Sequence, residues 1–139
     1  MAPPPPPPPP AGASPVEVVH AIYDAMAARD LGRLFELLHP EVVITQDERL
    51  PWGGRYVGHD GYAQFGLKLL GTIESAVTTD AVFEADGEVL QVGRTRGRVL
   101  ANEATFDIAE VHRWTIRDGL AVSAHYAIDT PAMLEALAR

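Results

Sequence analysis

Two periods divide this chain. Up to Leu70, apolar residues recur at spacings of three and four, the repeat of one helix face; from Thr72 they alternate, as along a half-buried strand. Ser14-Pro15-Val16-Glu17 is a capping box with proline at the first helical position, and predicts a helix to about residue 29 with Val19, Ile22, Tyr23 and Met26 as its buried stripe. Asp30 caps a second short helix that turns Leu31, Leu34, Phe35 and Leu38 inward and ends at Pro40. Residues 41–45 read as a short strand. Residues 46–61 form a long connection holding Pro51, four glycines, Trp52 and Tyr56; two aromatics among glycines predict a packed lip over a cavity. A third helix over residues 60–70 turns Tyr62, Phe65 and Leu69 inward and stops at Gly71.

The alternating half predicts four strands in sequence. Residues 72–84 give a long strand with room for a bulge, Asp86-Gly87 a turn, and residues 88–100 a second strand with Arg94, Arg96 and Arg98 in one phase. After a turn at 101–103 comes the stretch around which the rest is organised. Phe106, Ile108, Glu110, His112, Trp114 and Ile116 share one face of a strand, and this set is apolar except for Glu110 and His112. Asp-Gly at 118–119 closes a hairpin. A two-residue loop pairs Arg117 with Leu120 and His112 with His125. A three-residue loop with a bulge pairs Ile116 with Leu120, Trp114 with Val122, His112 with Ala124 and Glu110 with Tyr126. The second register matches apolar with apolar along both strands and is the one expected. It gathers Glu110, His112 and Tyr126 on the buried face. Thr130-Pro131 then starts a short terminal helix over residues 132–138, with Asp129 near its cap. Helices followed by a meander predict an α+β fold: a curved, mostly antiparallel sheet wrapped around three helices, with a cone-shaped cavity between them.

Composition narrows the partners. At 139 residues and 47% hydrophobic the chain fits one domain, over residues 14–139, with a proline-rich and disordered tail at 1–13 that carries eight consecutive prolines. No basic residue flanks the prolines, so a solvated tail is favoured over a docking ligand. The formal charge of −8 argues against nucleic acid and anionic membranes. With no cysteine there is neither disulfide nor thiol chemistry. The N-terminus lacks a basic segment followed by an apolar core, and no apolar run reaches membrane-spanning length, so a cytoplasmic location is expected. The five histidines show no i, i+4 pair, so neither a metal nor a cofactor is expected.

Three separated stretches carry a family resemblance: VVHAIYDAMAARDLGRLFELLHPEVVI, LPWGGRYVGHDGYAQF and HRWTIRDG. Over roughly residues 16–138 they resemble the SnoaL-like branch of the nuclear transport factor 2 superfamily, which includes polyketide cyclases, ketosteroid isomerases, epoxide hydrolases, dehydratases and non-catalytic binders. The isomerases' oxyanion tyrosine falls here on Ile22, with Tyr23 one place along. Their base falls on Gln46, with Asp47 adjacent, and their second oxyanion donor on His112. Steroid isomerisation is therefore not implied. The cyclase branch has a histidine where His112 stands, but its aspartate base falls on Tyr126. The expected register instead sets Glu110 opposite Tyr126. The resemblance also implies a homodimer formed through the outer sheet face, where Ala109, Val111, Ala121 and Ala127 suit close packing.

Taken together, the residues predict acid–base chemistry on a small hydrophobic carbonyl compound: cyclisation, isomerisation or dehydration. Glu110 is the base with a raised pKa, or His112 the base with Glu110 orienting it. His112 or Tyr126 donates to the enolate oxygen. Trp52, Tyr56, Tyr23, Phe65 and Trp114 are the substrate-binding wall. The competing reading makes Glu110, His112 and Tyr126 a hydrogen-bonded core network in a non-catalytic binding or dimerisation module. Solvent access to Glu110 and His112 would favour the enzyme, and a filled site with every group bonded would favour the module.

Overall fold

Ser14 does what its sequence dictates. Its hydroxyl accepts from the Glu17 amide at 3.2 Å while the Glu17 carboxylate accepts from the Ser14 amide at 3.1 Å, and helix α1 (Pro15–Ala27) starts there. The computed structural model describes residues 12–139; the predicted tail lies almost entirely outside them. Helix α1 buries Val18, Val19, Ala21, Ile22 and Ala25, and leaves Tyr23 and Met26 partly covered. Asp30 caps α2 (Leu31–Glu36) by accepting from the Arg33 amide.

The second helix is shorter than its pattern suggested. Leu31 is 63% exposed, while Leu38 is buried and opens strand β1 (Leu38–Gln46). Pro40 therefore sits within the strand and does not end the helix. It lies where β1 leaves its neighbour β6, between the pairs Leu38–Ala121 and Val43–Ser123, so its missing N–H removes no bond from that ladder. The predicted long connection also contains a strand. Strand β2 (Gly54–Val57) pairs antiparallel with β1, from Val43–Val57 to Gln46–Gly54, leaving only a tight turn at 47–53. A Cβ at Gly53 would overlap the Asp47 carbonyl, which explains a glycine there. Helix α3 (Gly58–Thr72) passes through Gly71 and gives way directly to β3 (Ile73–Ala85).

The second half forms the expected meander: β3, β4 (Glu88–Val99), β5 (Thr105–Arg117) and β6 (Leu120–Ile128), then α4 (Thr130–Ala138). The bulge anticipated in β3 falls between Thr79 and Ala81. Asp129, not Thr130, caps α4 by accepting from the Ala132 amide. The single sheet has the order β2-β1-β6-β5-β4-β3, antiparallel except for the parallel pair β1–β6. The core lies between α1 to α3 and one sheet face, around Ile22, Ile44, Val89 and Trp114.

The central hairpin departs from the expected register. Asp118 and Gly119 have φ of 52° and 78°, the two left-handed residues of a two-residue type I′ turn, and Arg117 pairs with Leu120. The apolar pattern is rescued by a bulge inside the strand: Ile116 pairs with Ala121 but Thr115 pairs with Ser123, leaving Val122 over. Beyond it, Trp114 faces Ala124, His112 faces Tyr126 and Glu110 faces Ile128. Neither register considered from sequence had this form, because both lacked a bulge within the strand. The slip also turns Ala121 inward, where it is fully buried, so it cannot belong to the outer face assigned to it.

Candidate functional site

Strand β5 alternates exposed and buried from Thr105 to Trp114, and this period builds the site. It sends Glu110, His112 and Trp114 inward beside Tyr126 from β6, with relative exposures of 2%, 7%, 0% and 6%. Across β4, the residue opposite Glu110 is Gly93 and the one opposite His112 is Gln91. The Thr78 backbone packs closely on Gly93, and a Cβ there would overlap the Thr78 carbonyl.

Glu110 is the unusual group. Among the described residues neither of its carboxylate oxygens has a hydrogen-bond partner, although both are buried. His112 Nε2 approaches Oε2 at 3.4 Å. Burial pushes the Glu110 carboxyl up to about 7, with the nearby Gln91 amide pulling weakly the other way. The Gln91 amide donates instead to Thr79 at 2.9 Å, and its own carbonyl oxygen also lacks a partner among the described residues. Burial, with the charge of His125 adding to it, pulls His112 down to about 3, so its imidazole is neutral across the physiological range.

Around this pair lies a shell of rings. Tyr126 stands 4.6 Å from His112, 5.6 Å from Trp114 and 5.6 Å from Phe65 between ring centres. Its hydroxyl meets that of Tyr62 at 3.2 Å. Burial holds the phenols of Tyr23 and Tyr126 well above their ordinary range and raises Tyr62 to about 12, so all three keep their protons. Tyr23 reaches from α1 to 2.6 Å from His112 Nδ1 and takes the Trp114 indole N–H at 3.0 Å.

The structure thus brings Glu110, His112, Tyr126, Tyr23, Phe65 and Trp114 together. Tyr56 joins the cluster at one remove, 5.4 Å from Phe65, with its hydroxyl donating to the Trp52 and Gly53 carbonyls. Trp52 is buried in the core by β1, where its indole donates to Gln46 at 2.9 Å. Asp47, beside the isomerase-type base position, is paired with Arg49, which holds its carboxyl down at about 2. Arg94 and Arg96 point outward to Asp107, and Arg98 to Glu74, so the arginine phase belongs to the outer surface. Sequence reading missed Gln91 and gave Tyr62 no site role. Gln91 sits at an inward position of β4 between apolar neighbours, which is the signal that marks a buried amide. Among the described residues no group of three or more His, Cys, Asp or Glu is placed to hold a metal ion, and no helix is long and apolar enough to cross a membrane.

With this geometry in place, the comparisons are consistent with one another. A family model described as a SnoaL-like domain matches residues 19–124. The fold is similar to an NTF2-like protein of unknown function from Burkholderia pseudomallei K96243, at 25% identity and TM-score 0.83, covering 91% of this chain and 99% of that one. It is similar to TerC, co-crystallised with polyporic acid, at 25% identity and TM-score 0.81, covering 91% and 100%. A Pseudomonas putida KT2440 protein provisionally assigned as a polyketide cyclase shares the fold at 19% identity and TM-score 0.78, covering 90% and 98%. No curated protein matches the sequence.

Proposed function

This chain belongs to the SnoaL-like domain family, and on that footing we propose that it is a small-molecule enzyme that moves a proton on a hydrophobic carbonyl compound. The reaction is a cyclisation, isomerisation or dehydration, with Glu110 as the base. The observation that carries this reading is the carboxylate itself: buried, unpartnered among the described residues, and poised near 7. A buried acceptor left unsatisfied costs stability and is rare unless a ligand or proton uses it. A base is most effective when its pKa lies near the working pH. His112 is poorly suited to that role, since its proton affinity is depressed to about 3. Neutral His112 and the Tyr62–Tyr126 hydroxyl pair serve as donors to the oxygen on which charge develops. Tyr23, Phe65 and Trp114 supply flat apolar walls. That TerC was co-crystallised with polyporic acid supports a small-molecule ligand for this fold.

One observation favours the second reading, a non-catalytic binding or dimerisation module: the site is closed, with Glu110 only 2% exposed. On the outer face Val111 is 39% exposed beside exposed Ala109 and Ala127, a surface suited to a homodimer. A cytoplasmic location fits either reading.

The two separate in one experiment. Cyclic ketones are screened by thermal shift, since a ligand that binds only the folded state raises Tm, and the hits are assayed for turnover in wild type, Glu110→Gln and His112→Ala. The enzyme reading expects Glu110→Gln to lower kcat/KM by about 10²–10⁴-fold, and His112→Ala by less. Binding without turnover in wild type supports the module. Turnover unaltered in both variants removes the assignment.

A further inference from the structure

The hydrogen bonds joining Trp114, Tyr23 and His112 have a forced direction. An indole Nε1 can only donate, and that of Trp114 lies 3.0 Å from the Tyr23 oxygen. The Tyr23 oxygen is therefore the acceptor in that bond, and its single proton is left for its other neighbour, His112 Nδ1 at 2.6 Å. A ring nitrogen that accepts carries no hydrogen, so a neutral imidazole here holds its proton on Nε2. The opposite arrangement, with Nδ1 donating, would make the tyrosine oxygen accept twice and leave a buried hydroxyl proton without an acceptor. On the far side of the ring, Nε2 stands 3.4 Å from Glu110 Oε2.

We propose that Tyr23 is a positioning residue: anchored by the Trp114 indole, it fixes His112 as the Nε2–H tautomer and so aims one proton into the space beside Glu110. The two bonds of the series run the same way, from Trp114 to Tyr23 and from Tyr23 to His112, and bonds in such a series strengthen one another. Both nitrogens of His112 are then committed. The ring is a donor, and Glu110 is left as the group that accepts a proton. This last consequence rests on the proposed function, whereas the tautomer does not. The Tyr23 ring can still line the site as expected from sequence, since only its hydroxyl is bonded to protein on both sides.

The test uses the ligand-free, full-length protein labelled with 15N-histidine. Long-range proton–nitrogen spectra near neutral pH report which ring nitrogen of His112 is protonated. Wild type is expected to show Nε2–H alone, and Tyr23→Phe, which keeps the ring and removes the hydroxyl, to lose that single-tautomer pattern. An Nδ1–H signal in wild type overturns the proposal, as does an unchanged pattern in Tyr23→Phe. Should Tyr23→Phe not fold, the wild-type spectrum decides by itself. Because no ligand is involved, a fixed Nε2–H tautomer alongside a fully active Glu110→Gln would sink the base assignment and leave the positioning role standing.

Discussion

Asp107 and Glu110 stand three residues apart on one strand and live in different chemistries. Asp107 faces outward, where Arg94 and Arg96 both reach it, and the Arg94 hydrogen bond leads in holding its carboxyl below the usual range. Glu110 faces inward, opposite a glycine and beside a neutral imidazole, and burial raises it to about 7. Strand phase alone separates them, because an odd step along a β-strand changes the face. The same side-chain chemistry becomes a satisfied surface anion on one side and a poised proton acceptor on the other.

This contrast can be broken in graded ways. The largest effect belongs to turnover: Glu110→Gln removes the base, with the loss of about 10²–10⁴-fold given above, whereas Asp107→Asn leaves kcat/KM unchanged in the same assay. Next comes the space around the inner carboxylate. Gly93→Ala would drive a Cβ into the Thr78 carbonyl, and chemical denaturation is expected to show a loss of roughly 1–3 kcal/mol, the usual cost of forcing atoms into a packed site. A smaller effect is pH-dependent. The Glu110 carboxyl holds its proton more tightly in the folded chain than its ordinary value of 4.5, so its contribution is fully present below about 4.5 and is lost as pH rises through about 7. Glu110→Gln lacks that loss, so its Tm should rise relative to wild type across this window and match it most closely at the acid end. His112, pulled down to about 3, acts in the opposite sense: its contribution is present above 6.5 and lost as pH falls toward 3. Only the difference between the two proteins isolates Glu110. The smallest effect is the stability change in Asp107→Asn, a slight fall in Tm that salt diminishes, because that pair is exposed and screened.

How much of this was legible follows from which signals are local. The alternation from Phe106 to Trp114 is local, and it correctly set Glu110 and His112 on the buried face. The helix cap at Ser14 and the turns at Asp86-Gly87 and Asp118-Gly119 are local too. The hairpin register was not, since a bulge at Val122 depends on how β6 meets β1 as well as β5. Pairing residues outward from the turn assumed an unbroken ladder, and one extra residue changed every expected partner and turned Ala121 inward, while Ala124 and Tyr126 stayed on the inner face. Strand β2 escaped notice because the four residues Gly54-Arg55-Tyr56-Val57 are too few to show an alternation; only pairing with β1 makes them a strand. The Tyr23 contact with His112 spans 89 residues, and nothing in the helical spacing of Tyr23 indicates which ring its hydroxyl will meet.

The central claim is that Glu110 exchanges its proton near neutrality, and its own titration tests this most directly. With 13C-labelled glutamate carboxyl groups, and Glu110→Gln to assign the signal, the Glu110 resonance should titrate with a midpoint near 7. A midpoint near 4.5, with the other glutamates, would contradict it: the inner carboxylate would then be an ordinary anion, with the weak proton affinity of an exposed glutamate.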